Sequence, residues 1–409
     1  EMSVLALCFA LLNLAFLAQG KSAPGCSLSL NNNLPIKNEP LIFSQNGKSV
    51  EIMRPSASSG KDSSLDLKTG EEIIIACPSK KNVIEATGKD ESVAKCVSGS
   101  TLSIGGKSVD SKTLDCKSKA DSDVIKTDRT CANGQGTILE IGFKISEGWF
   151  KLLEVCHDIA ESKTYWASHS IKGDGIEGKV YRSTARPAFT RGEKWLFTGF
   201  NPDSAYKQDN QEKVLKTVLG AKSATAYLDA KATKFLARGH LAPDADFALS
   251  PHQLATYYYV NAAPQWQSIN AGNWLRTETN SRTVAAALGV DLAVVTGTLG
   301  VSKMVDDKGQ EKEIFMEGKS RLPVPEYYWK VLRNPEDNSC IAIVSTNNPF
   351  LKSAPTPVCK DVCEKNGWPT YQNDLFKGYV YCCEYKDLKS AVPHMPEIPC
   401  KSTLKFKKN

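Results

Sequence analysis

The chain has 409 residues, 41% of them hydrophobic and 23% charged; this composition excludes a wholly disordered or fibrous protein, and the length suits two domains. With 51 Lys and Arg against 45 Asp and Glu, the net charge is +6. That mildly basic balance suits a polyanionic partner and a merely soluble surface equally well.

The chain opens on an apolar run, Val4 to Leu17, interrupted only by Asn13 and followed by Ala18, Gln19 and Gly20. It reads as a secretory signal peptide over 1–20, too short to span a bilayer, so export without a membrane anchor is expected. Cys8 falls in this leader. The other twelve cysteines form two groups of six, Cys26 to Cys156 and Cys340 to Cys400, with none over 157–339. In an exported chain they predict disulfides at both ends, with the pairing left open. Cys359, Cys363, Cys382 and Cys383 could also be drawn as a zinc site.

Residues 21–150 hold short β-prone runs between turn signals, such as Glu72–Ala76, Leu102–Gly106 and Thr137–Ile145, and predict a small, Cys-rich β domain. A second domain is expected over 151–409. Trp149–Ile159 reads as a strand or short helix, and Gln211–Gly220 as a helix. Lys234–Leu241 reads as a strand, and Pro251–Val260 as a helix or aromatic strand. Ile269–Gly289 has the pattern of a long helix stopped by Gly289, and Val290–Gly300 that of a buried strand. A charged hairpin around Asp306–Ile314 and strands from Val324 and Cys340 complete an α+β pattern.

The stretch from Lys234 to Glu278 carries chemistry. His240 can act as a general base, because an imidazole ordinarily titrates near neutral pH. On an extended segment Arg238 shares its face and brings a fixed cation with bidentate capacity for phosphate. The amide oxygen of Asn270 suits a hard divalent ion, and Glu278, a little over two helical turns on, could hold that ion's waters. Asn261 could orient His240 or a phosphate, and Gly239 would let a substrate approach the backbone. Singly, each has an ordinary explanation: a structural histidine, a helix cap at Asn270, loop acids at Asp244 and Asp246, and core packing for Tyr257, Tyr258, Tyr259, Trp266 and Trp274.

In combination, Ala237-Arg-Gly-His240, Asn261-Ala-Ala-Pro-Gln265 and Asn270-Ala-Gly-Asn-Trp274 with Glu278 resemble the DNA/RNA non-specific endonuclease family of ββα-metal type. The likeness covers roughly 150 to 385 and includes Thr296-Gly297, Val324-Pro325, Tyr328-Trp-Lys-Val331 and Asn347-Asn-Pro349. Gly239 to Phe247, Arg186-Pro-Ala-Phe189 and Cys382-Cys383 are similar to arthropod secreted nucleases, such as the crab duplex-specific and the shrimp and insect gut nucleases. The family pattern has Asp where this chain has Ala237.

The resemblance implies a ββα-metal nuclease domain with a central antiparallel sheet, preceded by the small disulfide-rich β domain. It implies His240 as general base, Asn270 as Mg²⁺ ligand (Mn²⁺ or Ca²⁺ substituting), and Glu278 on the ion's water shell. Arg238 and Asn261 would contact phosphate or orient the base, and Arg186 would stabilise the transition state. The expected protein is a secreted, digestive or defensive endonuclease acting on DNA and RNA, duplexes included, that leaves 5′-phosphates and needs no obligate protein partner. The competing expectations are a secreted nucleic-acid-binding protein with little or no catalysis, and a disulfide-rich adhesion protein.

Overall fold

The computed structural model describes residues 25–35, 37–47, 49–57, 62–181, 186–318 and 320–406; the leader expected over 1–20 lies outside them. At its centre is a nine-stranded sheet. Strands β1 (Asp123–Cys131), β2 (Gly136–Ile145), β3 (Gly148–Asp158) and β4 (Lys163–Ile171) enter it in sequence. The chain then leaves the sheet over residues 172–291. This excursion contains helix α1 (Gln208–Leu219), a separate ribbon of β5 (Leu236–His240) paired with β6 (Ala262–Trp266), and helix α2 (Leu275–Leu288). It returns as β7 (Leu292–Leu299), which pairs antiparallel with β4, and the sheet continues with β8 (Tyr327–Arg333), β9 (Ser339–Thr346) and β10 (Val380–Cys383). Ser402–Thr403 lies parallel beside β9.

Two-residue alternation explains how the sheet is covered. Along β8, Tyr328, Lys330 and Leu332 share the face toward α2 and the ribbon, while Trp329 and Val331 pack with Tyr385 and Leu388 of the C-terminal segment. Every residue of β9 is buried, which accounts for its unbroken apolar pattern. α2 stops at Gly289, whose φ of 63° makes the left-handed cap that favours glycine.

The N-terminal module is a six-stranded antiparallel sheet beside a three-stranded one. Its strands Leu41–Asn46 and Glu72–Ala76 are covered on both sides. Leu41, Phe43, Ile74 and Ala76 belong to the main core with Leu139, Ile141 and Leu153, and Ile42, Ile73 and Ile75 face the module's own core. That second core also takes in Val180, Ala248 and Leu249 from the excursion.

Position 150 falls inside β3, between two hydrogen-bonded neighbours, and the sheet to which β3 belongs begins at Asp123. The change from one sheet to the other comes between Asp110 and Asp123. Turn signals mark where strands end, not which sheet they join.

All twelve described cysteines are paired: Cys26–Cys96, Cys77–Cys116, Cys131–Cys156, Cys340–Cys400, Cys359–Cys383 and Cys363–Cys382. The last two use all four thiols of the zinc alternative. Asp361 beside Cys363 and Cys382 is consequently not a metal site.

One contact between module and excursion is titratable. Glu39 is 4% exposed and accepts the Ser250 N–H through Oε2 at 2.9 Å. Burial pushes its pKa up to about 8. In the unfolded chain Glu39 ionises near pH 4.5, whereas in the folded chain it stays protonated until about pH 8. Folding stability is therefore full below pH 4.5, falls as pH rises toward 8, and levels off above that. Glu39→Gln keeps an acceptor without the charge. It should raise the urea midpoint at pH 8 by the equivalent of about 2–4 kcal/mol, and leave it nearly unchanged at pH 4. An equal shift at both pH values would show that Glu39 is not the titrating group.

Candidate active site

The ribbon and the start of α2 form two walls of a cleft of about 600 Å³. His240, Arg238, Asn270, Glu278 and Arg186 all line it, with Asp203, Asp244, Tyr257, Phe189 and Gln267. Five of the six residues singled out in the sequence thus meet in one place.

In β5, Arg238 pairs with Pro264 and His240 with Ala262, so both side chains leave the same face of the ribbon. The His240 ring lies between Phe189, at 4.8 Å between centroids, and Tyr257, at 4.9 Å and nearly perpendicular. Tyr257 is itself held by Asp244, to whose Oδ2 its hydroxyl donates at 2.7 Å. The Arg238 guanidinium is caged: Nη2 donates to Asp203 Oδ1 at 2.8 Å and Nε to the Tyr259 hydroxyl at 3.1 Å, with the Tyr206 ring 5.1 Å away. Its side chain keeps 30% exposure, so it remains open to an anion. Ala237 also lines the cleft. The carboxylate that steadies Arg238 comes from Asp203, thirty-five residues upstream in the chain.

Asn270 opens a single π-type turn, Asn270–Trp274, that leads into α2. Such turns place side chains that a regular helix would aim elsewhere. Here Gly272 departs from helical geometry, and a Cβ on it would lie 2.8 Å from Lys377 Cβ. Asn273 donates to the carbonyls of Gln372 and Gly378, and Trp274 is buried against Tyr328. These three anchors fix the turn, and Asn270 faces the cleft. Its amide nitrogen donates to Gln267 Oε1 at 3.4 Å, so the carbonyl oxygen is the atom that could hold a cation.

Glu278, in the first turn of α2, is 9% exposed, and no hydrogen bond reaches its carboxylate among the described residues. Burial pushes its pKa up to about 7; Lys330 and Arg282 act against this, and Asp246 and Asp244 add to it. A buried carboxylate of this kind beside an amide oxygen fits a hydrated divalent cation, which takes oxygen ligands and retains water.

Asn261 and Gly239 stand off the cleft wall. Asn261 is fully buried: Oδ1 accepts the Ala242 N–H, and Nδ2 donates to the carbonyls of Ala242 and Thr256. It locks the backbone beyond His240 and does not reach the cleft, so no phosphate contact is open to it. Gly239 serves packing, because a Cβ there would lie 2.5 Å from Gln265 Oε1 and 2.8 Å from the Tyr328 hydroxyl. Asp203 is not among the residues singled out in the sequence, and Asp246 stands there only as a loop acid. Asp246 is no ordinary loop acid: it is 1% exposed and paired with His169 and Arg282.

The model of the DNA/RNA non-specific endonuclease family matches residues 134–388. The chain is 31% identical over 373 residues to a salivary endonuclease of Lutzomyia longipalpis, covering 90% of this chain and 83% of that protein. It is 24% identical over 312 residues to a salivary endonuclease of Culex quinquefasciatus, covering 73% and 77%. It is 25% identical over 410 residues to salivary protein Tsal2A of Glossina morsitans morsitans, covering 98% and 100%.

Proposed function

The chain belongs to the DNA/RNA non-specific endonuclease family, and on that footing we propose that it is a secreted, divalent-cation-dependent endonuclease. It hydrolyses phosphodiester bonds of DNA, duplexes included, and of RNA, and leaves 5′-phosphates. The observation that carries this reading is the meeting of His240, Arg238, Asn270 and Glu278 in one cleft, with Glu278 buried and without a hydrogen bond among the described residues.

His240 takes a proton from the attacking water at its ring nitrogen. As the new O–P bond forms, the P–O3′ bond breaks and the 3′ oxygen leaves as a hydroxyl, with its proton drawn from solvent. Arg238, held by Asp203 and its aromatic cage, bonds the phosphate oxygens that gain charge. Arg186, exposed on the cleft wall, meets the same charge from another side. Asn270 would hold the cation and Glu278 its hydration shell; magnesium is the expected ion, with manganese or calcium substituting. Once bound, the ion supplies positive charge to the phosphate and the leaving oxygen.

Release from the cell is supported by the six disulfides and by the relatives named as salivary endonucleases. A digestive or defensive role agrees with both. The test is nicking of supercoiled plasmid with and without EDTA, then digestion of matched single- and double-stranded DNA and RNA under Mg²⁺, Mn²⁺ and Ca²⁺. Cleavage that EDTA abolishes is the expected result. Retention of nucleic acid without cleavage under every ion would replace this reading with that of a binding protein.

A further inference from the structure

We propose that Asp246 is a positioning residue that holds Glu278 in register with His240, acting through Arg282. This rests on the nuclease reading of the cleft.

Asp246 closes a short turn, Asp244–Asp246, that follows His240 in the chain. Its side chain is fully buried, where a lone carboxylate would be costly. Two partners, the His169 ring and the Arg282 cation, offset that cost. Oδ2 lies 2.9 Å from His169 Nε2 on β4, and Oδ1 lies 2.8 Å from Arg282 Nη1 on α2. Although burial works in the opposite direction, His169, Arg282 and Lys330 hold its pKa down at about 2, so it stays ionised at any working pH. One carboxylate thereby ties the loop of the base to the central sheet and to the helix that carries Glu278.

The helix geometry makes this tie directional. Arg282 is four residues beyond Glu278, one turn along the same face of α2. A pull on Arg282 therefore sets the rotation of α2 about its axis, which decides where Glu278 points. The neighbouring acid of the same turn serves the other arm of the site: Asp244 accepts from Tyr257, whose ring packs on His240. Lys330, whose charge acts on Asp246 and Glu278, is fully buried, with Nζ 2.5 Å from Thr296 Oγ1. The turn thus sends one carboxylate toward the base and one toward the acid, and fixes their separation.

The test is a double-mutant cycle in the full chain, read as single-turnover cleavage of a fluorescent DNA duplex with enzyme in excess. Asp246→Asn should lower the rate about 10²-fold, with the half-saturating concentration changed less than about threefold. In a Glu278→Gln background the same substitution should cost less than about threefold, because the group it positions is already gone. Arg282→Gln, at a partly exposed side chain, should repeat both results, and it carries the test if Asp246→Asn does not fold. A merely structural role would multiply the two losses in full and would be matched by a loss of thermal stability. That outcome, or wild-type rates in both single variants, overturns the proposal while leaving the nuclease reading intact. A wild-type chain that does not cleave overturns both.

Discussion

The His240→Ala protein should bind a DNA duplex in EDTA as the wild type does, and with Mg²⁺ should cut it roughly 10³-fold more slowly. The substitution removes one ring from the end of a two-stranded ribbon whose backbone pairing with Ala262 does not depend on that side chain. Arg238 keeps its bonds to Asp203 and Tyr259, so the anion-binding part of the cleft survives. Rate and affinity should therefore separate. Anisotropy of a labelled duplex measures the second, and plasmid nicking the first. Full nicking activity in this variant would sink the assignment of His240 as base. A parallel loss of binding would show that the ring is needed for more than the proton.

Replacing Asn270 by alanine acts on the cation instead. The turn that carries it is anchored by Gly272, Asn273 and Trp274, none of which is disturbed, so the fold should hold. Cleavage at low millimolar Mg²⁺ should fall about 10²-fold or more, and part of it should return as Mg²⁺ is raised. Titrating activity against Mg²⁺ for both proteins checks this. A variant with reduced activity but an unchanged Mg²⁺ midpoint would refute the ligand role. Asn270→Asp, which keeps an oxygen at the same distance from the backbone, should lie between the two.

Much of the site could be read from spacing, because its parts lie close together in the chain. A strand ending at His240, a second strand through Pro264 and a helix from Leu275 form one continuous segment, and their residue types already suggest the chemistry. What could not be read depends on partners far away. Asp203 and Asp246 look like solvent-facing loop acids until Arg238 and His169 are folded against them. Asn261 has the residue type of a catalytic amide, but its burial among backbone groups is a tertiary fact. The π-type turn at Asn270 has the same apolar pattern as a regular helix, so Ile269–Gly289 read as a single element. The disulfides follow the two groups of six, while the partners within each group became visible only in the structure.

The long excursion between β4 and β7 has a consequence for when the protein becomes dangerous to the cell that makes it. His240, Asn270 and Glu278 are all synthesised before β7, the strand that closes the excursion against β4. Tyr328 and Lys330 come later still, and Asn273 waits for Gly378, near the end of the chain. Contacts so distant in sequence form slowly, and none can form on a ribosome that has not yet made the partner. A growing chain thus carries the reactive residues without the cleft that makes them work. Assembly of the cleft waits for residues made well after its own, with Gly378 lying 105 residues beyond Asn273.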